Sequence, residues 1–91
     1  MSKELDKIRR KISGIDSEIV RLIARRQSCM PKVAVIKKKG GLPILQLGRE
    51  RELIAAKKAL AKELGVNPRL IQSIFELIFN DSRRIQRKIR K

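Results

Sequence analysis

Three polar residues lie at helix positions where the surrounding pattern otherwise places apolar side chains: Arg26, Glu50 and Ser82. Gln86 follows Ser82 by four residues and therefore lies on the same helix face. A buried charge without a partner is costly, so these residues need one another or a ligand. We interpret them as one interior polar pocket. Its excess of cations indicates an anionic guest, because a guanidinium presents two parallel donors that match a carboxylate.

A structural explanation of the same residues stays open. Arg26 and Glu50 could form a buried ion pair, and Ser82 could be a small spacer. Gln86 could be a solvated residue near a helix end. Taken singly, each residue favours this explanation, but three exceptions on three different helices favour a pocket.

The first element that must position these residues is a long helix. Apolar residues recur at steps of three and four in the first third of the chain: Leu5, Ile8, Ile12, Ile15, Ile19 and Leu22. This rhythm predicts one helix from about Ser2 to Lys38, ended by Gly40-Gly41. Pro31 lacks a backbone donor, so we expect a kink there. The alternative is two helices that meet near residue 30, but the apolar phase continues across Pro31 and favours the kink.

Two further helices complete an all-α chain. Residues 40–47 form a loop, and a second helix is predicted from about Gly48 to Leu64, where Gly65 ends it. Asn67 is typical of an N-cap and is followed by proline at the first helical position. A third helix is predicted from Pro68 to Arg87 or beyond.

The length of the first helix predicts how the molecule assembles. A compact monomer of 91 residues is about 30 Å across, whereas a helix of about 35 residues is about 50 Å long. The helix must therefore extend beyond its own domain, and its apolar seam needs cover. We predict a single domain, residues 1–91, that forms an intertwined helical homodimer.

The composition excludes several classes of chemistry. Lys and Arg total 24 against nine acidic residues, and the absence of His excludes His-based catalysis and His metal ligands. The single cysteine, Cys29, excludes an internal disulfide and a Cys-cluster zinc site. We expect no metal and no cofactor. The charged N-terminus is unlike a secretory leader, and no apolar run suits a membrane span, so we expect a cytoplasmic location.

At these residues the chain resembles the all-helical chorismate mutase family. The resemblance covers nearly the whole chain, from Leu5 to Lys88. The matching stretches are Ile8-Arg9-Arg10-Lys11-Ile12, Ile15-Asp16, Ala24-Arg25-Arg26, Lys37, Arg49-Glu50-Arg51-Glu52, Asp81-Ser82 and Gln86. It implies an intertwined dimer of three-helix chains. It also implies conversion of chorismate to prephenate, a Claisen-type rearrangement on the shikimate route to Phe and Tyr.

The resemblance further implies which residues bind the substrate. Arg26 and the partner subunit's Arg9 would hold the two carboxylates. Ser82 would touch a carboxylate, and Arg49 would support the polar shell. None of these tasks needs a nucleophile, a base or a metal, because the reaction is unimolecular and the flexible dianion has only to be held in a chair-like conformer.

The resemblance implies that two residues donate hydrogen bonds to the ether oxygen of the breaking bond and that one residue accepts a hydrogen bond from the ring hydroxyl. Lys37 would contact a carboxylate and the ether oxygen, and Gln86 would donate to the same ether oxygen. Glu50 would take the ring hydroxyl. Donors at the breaking C–O bond would stabilise the negative charge that accumulates there.

Two departures from the family pattern bear on rate more than on fold. The position four before Glu50 is usually acidic and is here Gln46, which can still hydrogen-bond to the substrate. Gly48 stands where an aspartate is common. Pro31 interrupts the long helix between two of the expected substrate ligands.

Three other interpretations stay open from the sequence. An isochorismate-pyruvate lyase would use the same scaffold and cations, although Arg49-Glu50 favours the mutase. The net charge of +15 and the six basic residues in 83–91 suit a helical module that binds nucleic acid, but no helix-turn-helix spacing is evident. We expect non-specific polyanion binding at low salt in any case. The third interpretation is a structural dimer whose pocket binds nothing.

Overall fold

A computed structural model describes residues 2–90 as a chain of helices. The helices are α1 (Lys3–Gln27), α2 (Met30–Lys39), α3 (Leu47–Glu63) and α4 (Pro68–Ile89). No strand occurs in this part of the chain. The all-α class and the order of the helices are confirmed, with boundaries that differ from the predicted ones by at most two residues.

Helices α1 and α2 together form the bent N-terminal helix that the sequence predicts. The interruption lies at Ser28 and Cys29, whose backbones stay right-handed, with φ and ψ of −64° and −16° and of −80° and −16°. The Cys29 amide donates to the carbonyl of Arg26 at 3.1 Å, three residues back instead of four. Pro31 has no amide to donate to the carbonyl four residues before it, and it lies in the first turn of α2, where amides are unpaired anyway. The long helix is therefore interrupted directly before α2 begins.

Two glycines end α2 and α3 in the same way. Gly41 and Gly65 have φ of 67° and 70°, a conformation that glycine adopts without strain. After each glycine the chain closes a Schellman motif: Leu42 donates to the Lys37 carbonyl at 2.8 Å and Val66 to the Ala61 carbonyl at 2.8 Å. The helix stops predicted at Gly40-Gly41 and at Gly65 are thereby confirmed.

Helix α4 is the element against which the other three pack. The buried apolar residues are Ala34 on α2, Ala61 on α3 and Phe79 on α4. Two polar residues of α4, Ser82 and Gln86, are equally buried at 4% exposure. The C-terminal half of α4 therefore presents polar side chains to the inside of the molecule, where a site can form.

The molecule is elongated because α1 extends away from the rest of the chain. Its dimensions are 58 × 26 × 14 Å and its radius of gyration is 16.9 Å, against about 12 Å for a compact domain of this length. The predicted apolar seam of α1, from Leu5 to Leu22, is between 47% and 56% exposed at each of its six positions. Residues 2–90 therefore leave about half of this seam uncovered. Separately, none of the helices within residues 2–90 combines the length and the apolarity needed to cross a bilayer.

Candidate active site

A cavity of about 300 Å³, lined by both polar and apolar side chains, lies where the bend of the long helix, the start of α3 and the end of α4 meet. This volume is at the lower end of the range for small-molecule pockets, which begins at about 300 Å³. Of the eight residues singled out from the sequence, seven line it: Arg26, Lys37, Gln46, Arg49, Glu50, Ser82 and Gln86. The structure therefore brings together residues that lie up to 60 positions apart in the chain.

Arg26 lies at the cavity wall with most of its donors unused by protein. Its Nη1 donates to Gln27 Oε1 at 2.7 Å and to the Ser82 hydroxyl at 2.8 Å. Its guanidinium carbon lies 5.3 Å from the centroid of the Phe79 ring, a cation–π distance. Burial lowers the pKa of Arg26, and no carboxylate within residues 2–90 pairs with it. The Arg26–Glu50 ion pair that the structural explanation offered is not formed, and within residues 2–90 no side chain accepts from the other two guanidinium nitrogens, which leaves them for an anion.

Gln27 holds the end of α1 against α4 and was missed by sequence reasoning. Its Nε2 donates to the Ile78 carbonyl at 3.2 Å and to Asp81 Oδ2 at 3.0 Å. The pKa of Asp81 is lowered because Arg84, and then Gln27, hydrogen-bond its carboxylate. The Ser82 hydroxyl lies 2.8 Å from the Ile78 carbonyl and 3.0 Å from Gln27 Oε1, either of which accepts its proton. Gln27 lies off the apolar stripe of α1, so periodicity gave no signal for it.

Lys37 and Gln86 form a pair of donors on facing helices. Lys37 Nζ donates to the Ile44 carbonyl at 2.8 Å and to Gln86 Oε1 at 2.9 Å, which leaves one of its three protons for a ligand. The Gln86 amide nitrogen lies 3.7 Å from the Met30 sulfur, a weak acceptor. Each side chain therefore orients the other while retaining a donor for a bound molecule.

One acid, Glu50, faces Lys37 against two cations. Burial lowers the pKa of Lys37 most, the Glu50 carboxylate raises it, and the cations Arg90 and Arg83 lower it further. A bound dianion would supply the missing negative charge.

Glu50 is paired with Arg83, a residue that sequence reasoning did not single out. The Arg83 Nη1 donates to Glu50 Oε2, and the two side chains are 20% and 19% exposed. Arg83 follows Ser82 directly and precedes Gln86 by three residues, so it stands at the edge of the polar face of α4. An acid on an apolar stripe signalled that Glu50 needed a partner, but only the packing of α3 on α4 identifies it.

The three remaining predicted residues occupy different places. Arg49 is exposed at the cavity rim and lies 3.8 Å from Glu52 Oε2. Gln46 is half-buried in the wall at the N-cap position of α3, where its side chain makes no capping bond. Arg9 is exposed on α1 and lies about 26 Å along that helix from Arg26, so it cannot reach the cavity of its own chain.

This set of side chains can bind and orient a small anion. Its cations outnumber its one acid, Glu50, and two amides and a hydroxyl complete it. The Ser82 hydroxyl has no base among its partners to activate it as a nucleophile. In the part of the chain that the structure describes, no three His, Cys, Asp or Glu side chains lie close enough to hold a metal ion. The arrangement suits a reaction driven by conformational restraint and hydrogen-bond donation.

Comparison with known proteins supports this conclusion from another direction. A family model described as chorismate mutase type II matches residues 8–87. The chain is 34% identical over 88 residues to a chorismate mutase of Methanocaldococcus jannaschii, and the match covers 97% of this chain and 89% of that protein.

Two longer relatives match over a fraction of their length. A T-protein of Enterobacter agglomerans is 32% identical over 82 residues, which are 90% of this chain and 22% of that protein. A bifunctional chorismate mutase/prephenate dehydratase of Buchnera aphidicola subsp. Schizaphis graminum is 33% identical over 86 residues, which are 94% of this chain and 22% of that protein. This chain thus spans most of the Methanocaldococcus jannaschii relative and about a fifth of these two.

Proposed function

The chain belongs to the chorismate mutase type II family and acts as a chorismate mutase, and we propose that it rearranges chorismate to prephenate in the cavity at the end of α4. The observation that carries the proposal is the arrangement of Lys37 and Gln86. Lys37 Nζ donates to Gln86 Oε1 at 2.9 Å, and both the Lys37 ammonium and the Gln86 amide keep a further proton for a ligand. The cavity around them is rich in cations. Prephenate formation would serve the route to Phe and Tyr.

The cations would hold the substrate by its two carboxylates. Arg26 offers Nε and Nη2 in the planar arrangement that a carboxylate accepts, while Nη1 is fixed by Gln27 and Ser82. Ser82 Oγ lies beside the same guanidinium and can contact that carboxylate. Arg49 at the rim and Gln46 in the wall would complete the polar shell.

The rearrangement would be accelerated by restraint and by charge stabilisation. Holding both carboxylates brings the two reacting carbons together in a chair-like conformer. As the ether C–O bond breaks, negative charge collects on its oxygen, and the free protons of Lys37 and Gln86 would point at that atom. Gln86 cannot titrate, so its donor persists at every pH. The free Oε1 of Glu50 would accept a hydrogen bond from the ring hydroxyl.

A second copy of the chain would complete the site. The exposed seam of α1 is an apolar helix face about 25 Å long. The α1 helix of a second copy carries the same apolar face and can pack against it. Arg9 is too far from its own cavity to serve it, whereas in an intertwined dimer it can enter the partner's. We therefore propose a homodimer. We also propose a cytoplasmic location, because the lone thiol of Cys29 is exposed and free, as thiols are kept in reducing compartments.

The test is turnover of chorismate by the purified chain, followed by loss of substrate absorbance with product identification. The absence of Trp and Tyr keeps the protein background low. Arg26→Ala should abolish most activity without loss of stability, whereas Arg25→Ala, at an exposed neighbour, should not. Isochorismate is assayed in parallel: pyruvate release from it, with chorismate untouched, would assign the lyase instead. Turnover of neither substrate by the folded protein would contradict both enzymatic assignments.

A further inference from the structure

Arg83 is a cation of the cavity to which the proposed rearrangement gives no task. It lines the cavity and is only 20% exposed, whereas Arg84 and Arg87 on the same helix are exposed. Its Nη1 donates to Glu50 Oε2. The other three ion pairs within residues 2–90 are pairs of exposed side chains three residues apart on one helix. The Arg83–Glu50 pair alone among these joins two helices across the cavity wall.

The fold gives little reason for such a pair. Two charges taken out of water lose hydration, and apolar replacements of a buried pair often leave a protein equally or more stable. An exposed arginine would serve solubility equally well, as its neighbours do. A half-buried pair in the wall of a ligand cavity is therefore better explained by a task in recognition than by a contribution to the fold.

The hydrogen bonds of Glu50 show what that task can be. Arg83 occupies Oε2, and no side chain within residues 2–90 donates to Oε1. The Glu50 backbone amide donates to the Gln46 carbonyl at 3.1 Å in the first turn of α3, and this bond does not involve the carboxylate. Within residues 2–90, Arg83 is thus the one side chain that hydrogen-bonds this carboxylate, and it leaves the other oxygen of a cavity-lining residue without a side-chain donor.

We propose that Arg83 is a positioning residue for recognition of the substrate's ring hydroxyl. It holds Glu50 by Oε2 so that Oε1 accepts the hydroxyl, and it does not touch the reacting atoms. This inference rests on the proposed function of the site. Its consequence is that the contribution of Arg83 depends on two partners: the Glu50 carboxylate and the hydroxyl of the substrate.

The experiment measures kcat/KM for Arg83→Met, Glu50→Gln and the double variant, with chorismate and with an analogue that lacks the ring hydroxyl. Arg83→Met should lose about tenfold to a hundredfold with chorismate, the scale of one charge-assisted hydrogen bond. In the Glu50→Gln background the same change should cost little more, and with the deoxy analogue Arg83→Met should equal the unmodified chain. Arg83→Lys should restore part of the loss. Arg87→Met, at an exposed position with no contact to the cavity, is the control.

Each contrary result has a distinct meaning. Equal losses with both substrates, or fully additive losses in the double variant, would overturn the positioning role. Unchanged kinetics of Arg83→Met in an active enzyme would also overturn the positioning role, but this result would leave the proposed function intact. Absence of chorismate turnover by the unmodified chain would overturn both. Arg83→Met could unfold because Glu50 is left unpaired. In that case the positioning role is tested by comparing the double variant, which carries neither charge, with Glu50→Gln, and Arg83→Lys with the unmodified chain.

Discussion

Lys37 is the single residue whose loss should reduce turnover most, because it lines the cavity, keeps one proton that no protein group accepts within residues 2–90, and also orients Gln86. We expect Lys37→Ala to lower kcat about a hundredfold to a thousandfold, as the removal of one preorganised donor does in other enzymes. Lys38→Ala is a matched control, because Lys38 is the adjacent residue and is exposed. Circular dichroism should show the same helicity for both variants. Near-normal turnover of Lys37→Ala would remove this residue from its assigned role.

The lowered pKa of Lys37 predicts how activity depends on pH. Burial disfavours the charged form, and Arg83 and Arg90 reinforce that effect against Glu50, so Lys37 loses its proton below the 10.5 of an ordinary lysine. The protonated form is the donor. The kcat/KM of the enzyme should therefore fall as pH rises through this lowered pKa. Lys37→Arg, which does not titrate in this range, should abolish the alkaline decline, and a decline that persists in that variant would assign it to another group.

Individual site residues differ in how far a sequence can reveal them. Arg26, Glu50 and Ser82 interrupt apolar stripes, so a periodic pattern exposes them without any knowledge of the fold. Gln27 and Arg83 lie beside those stripes, where polar residues are ordinary, and only tertiary packing gives them partners. Periodicity also leaves the partner of Glu50 open. It shows that a buried acid needs a cation, but it does not distinguish Arg26 from Arg83.

At the level of helices, the ends were predictable because the signals are local. The N-cap of α4 is an example: the Asn67 side chain accepts from the Arg69 amide at 2.9 Å, as its place before Pro68 predicts. The bend was harder to place. Pro31 indicates that one hydrogen bond is missing, but the interruption falls at Ser28 and Cys29, because the bond that proline cannot make belongs to the turn before it.

The Asn67 cap gives a test in which stability and catalysis separate. Asn67→Ala should lower the free energy of unfolding by about 1 kcal/mol, since the Arg69 amide loses its acceptor. Asn67 lies at the end of α4 opposite the cavity, so kcat below the melting transition should not change. Asn80→Ala, at an exposed position inside the same helix, is the control and should not destabilise the protein. An equal loss of stability in the two variants would mean that the cap contributes nothing specific.

At the level of the whole molecule, the elongated shape can be explained from the sequence more fully than the net charge. The overhang was predictable, since a helix of this length cannot fit inside a domain of 91 residues. The net charge of +15 is harder to account for, and the structure explains only part of it: Arg26, Lys37, Arg49 and Arg83 line the cavity. The remaining cations would raise the local concentration of a dianion, at the expense of self-repulsion.

The shared site of the proposed dimer can be tested by mixing two defective chains. Arg9→Ala and Arg26→Ala chains should each form dimers with little activity, because every site lacks one of the two arginines. In a heterodimer, one site combines the intact Arg26 of one chain with the intact Arg9 of the other, while the second site lacks both. Random reassortment makes half of the dimers mixed, so co-refolding at equal amounts should restore about a quarter of the unmodified activity. Heterodimers confirmed by mass spectrometry but without recovered turnover would show that each chain builds its site alone, and a monomer in solution would contradict the dimer itself.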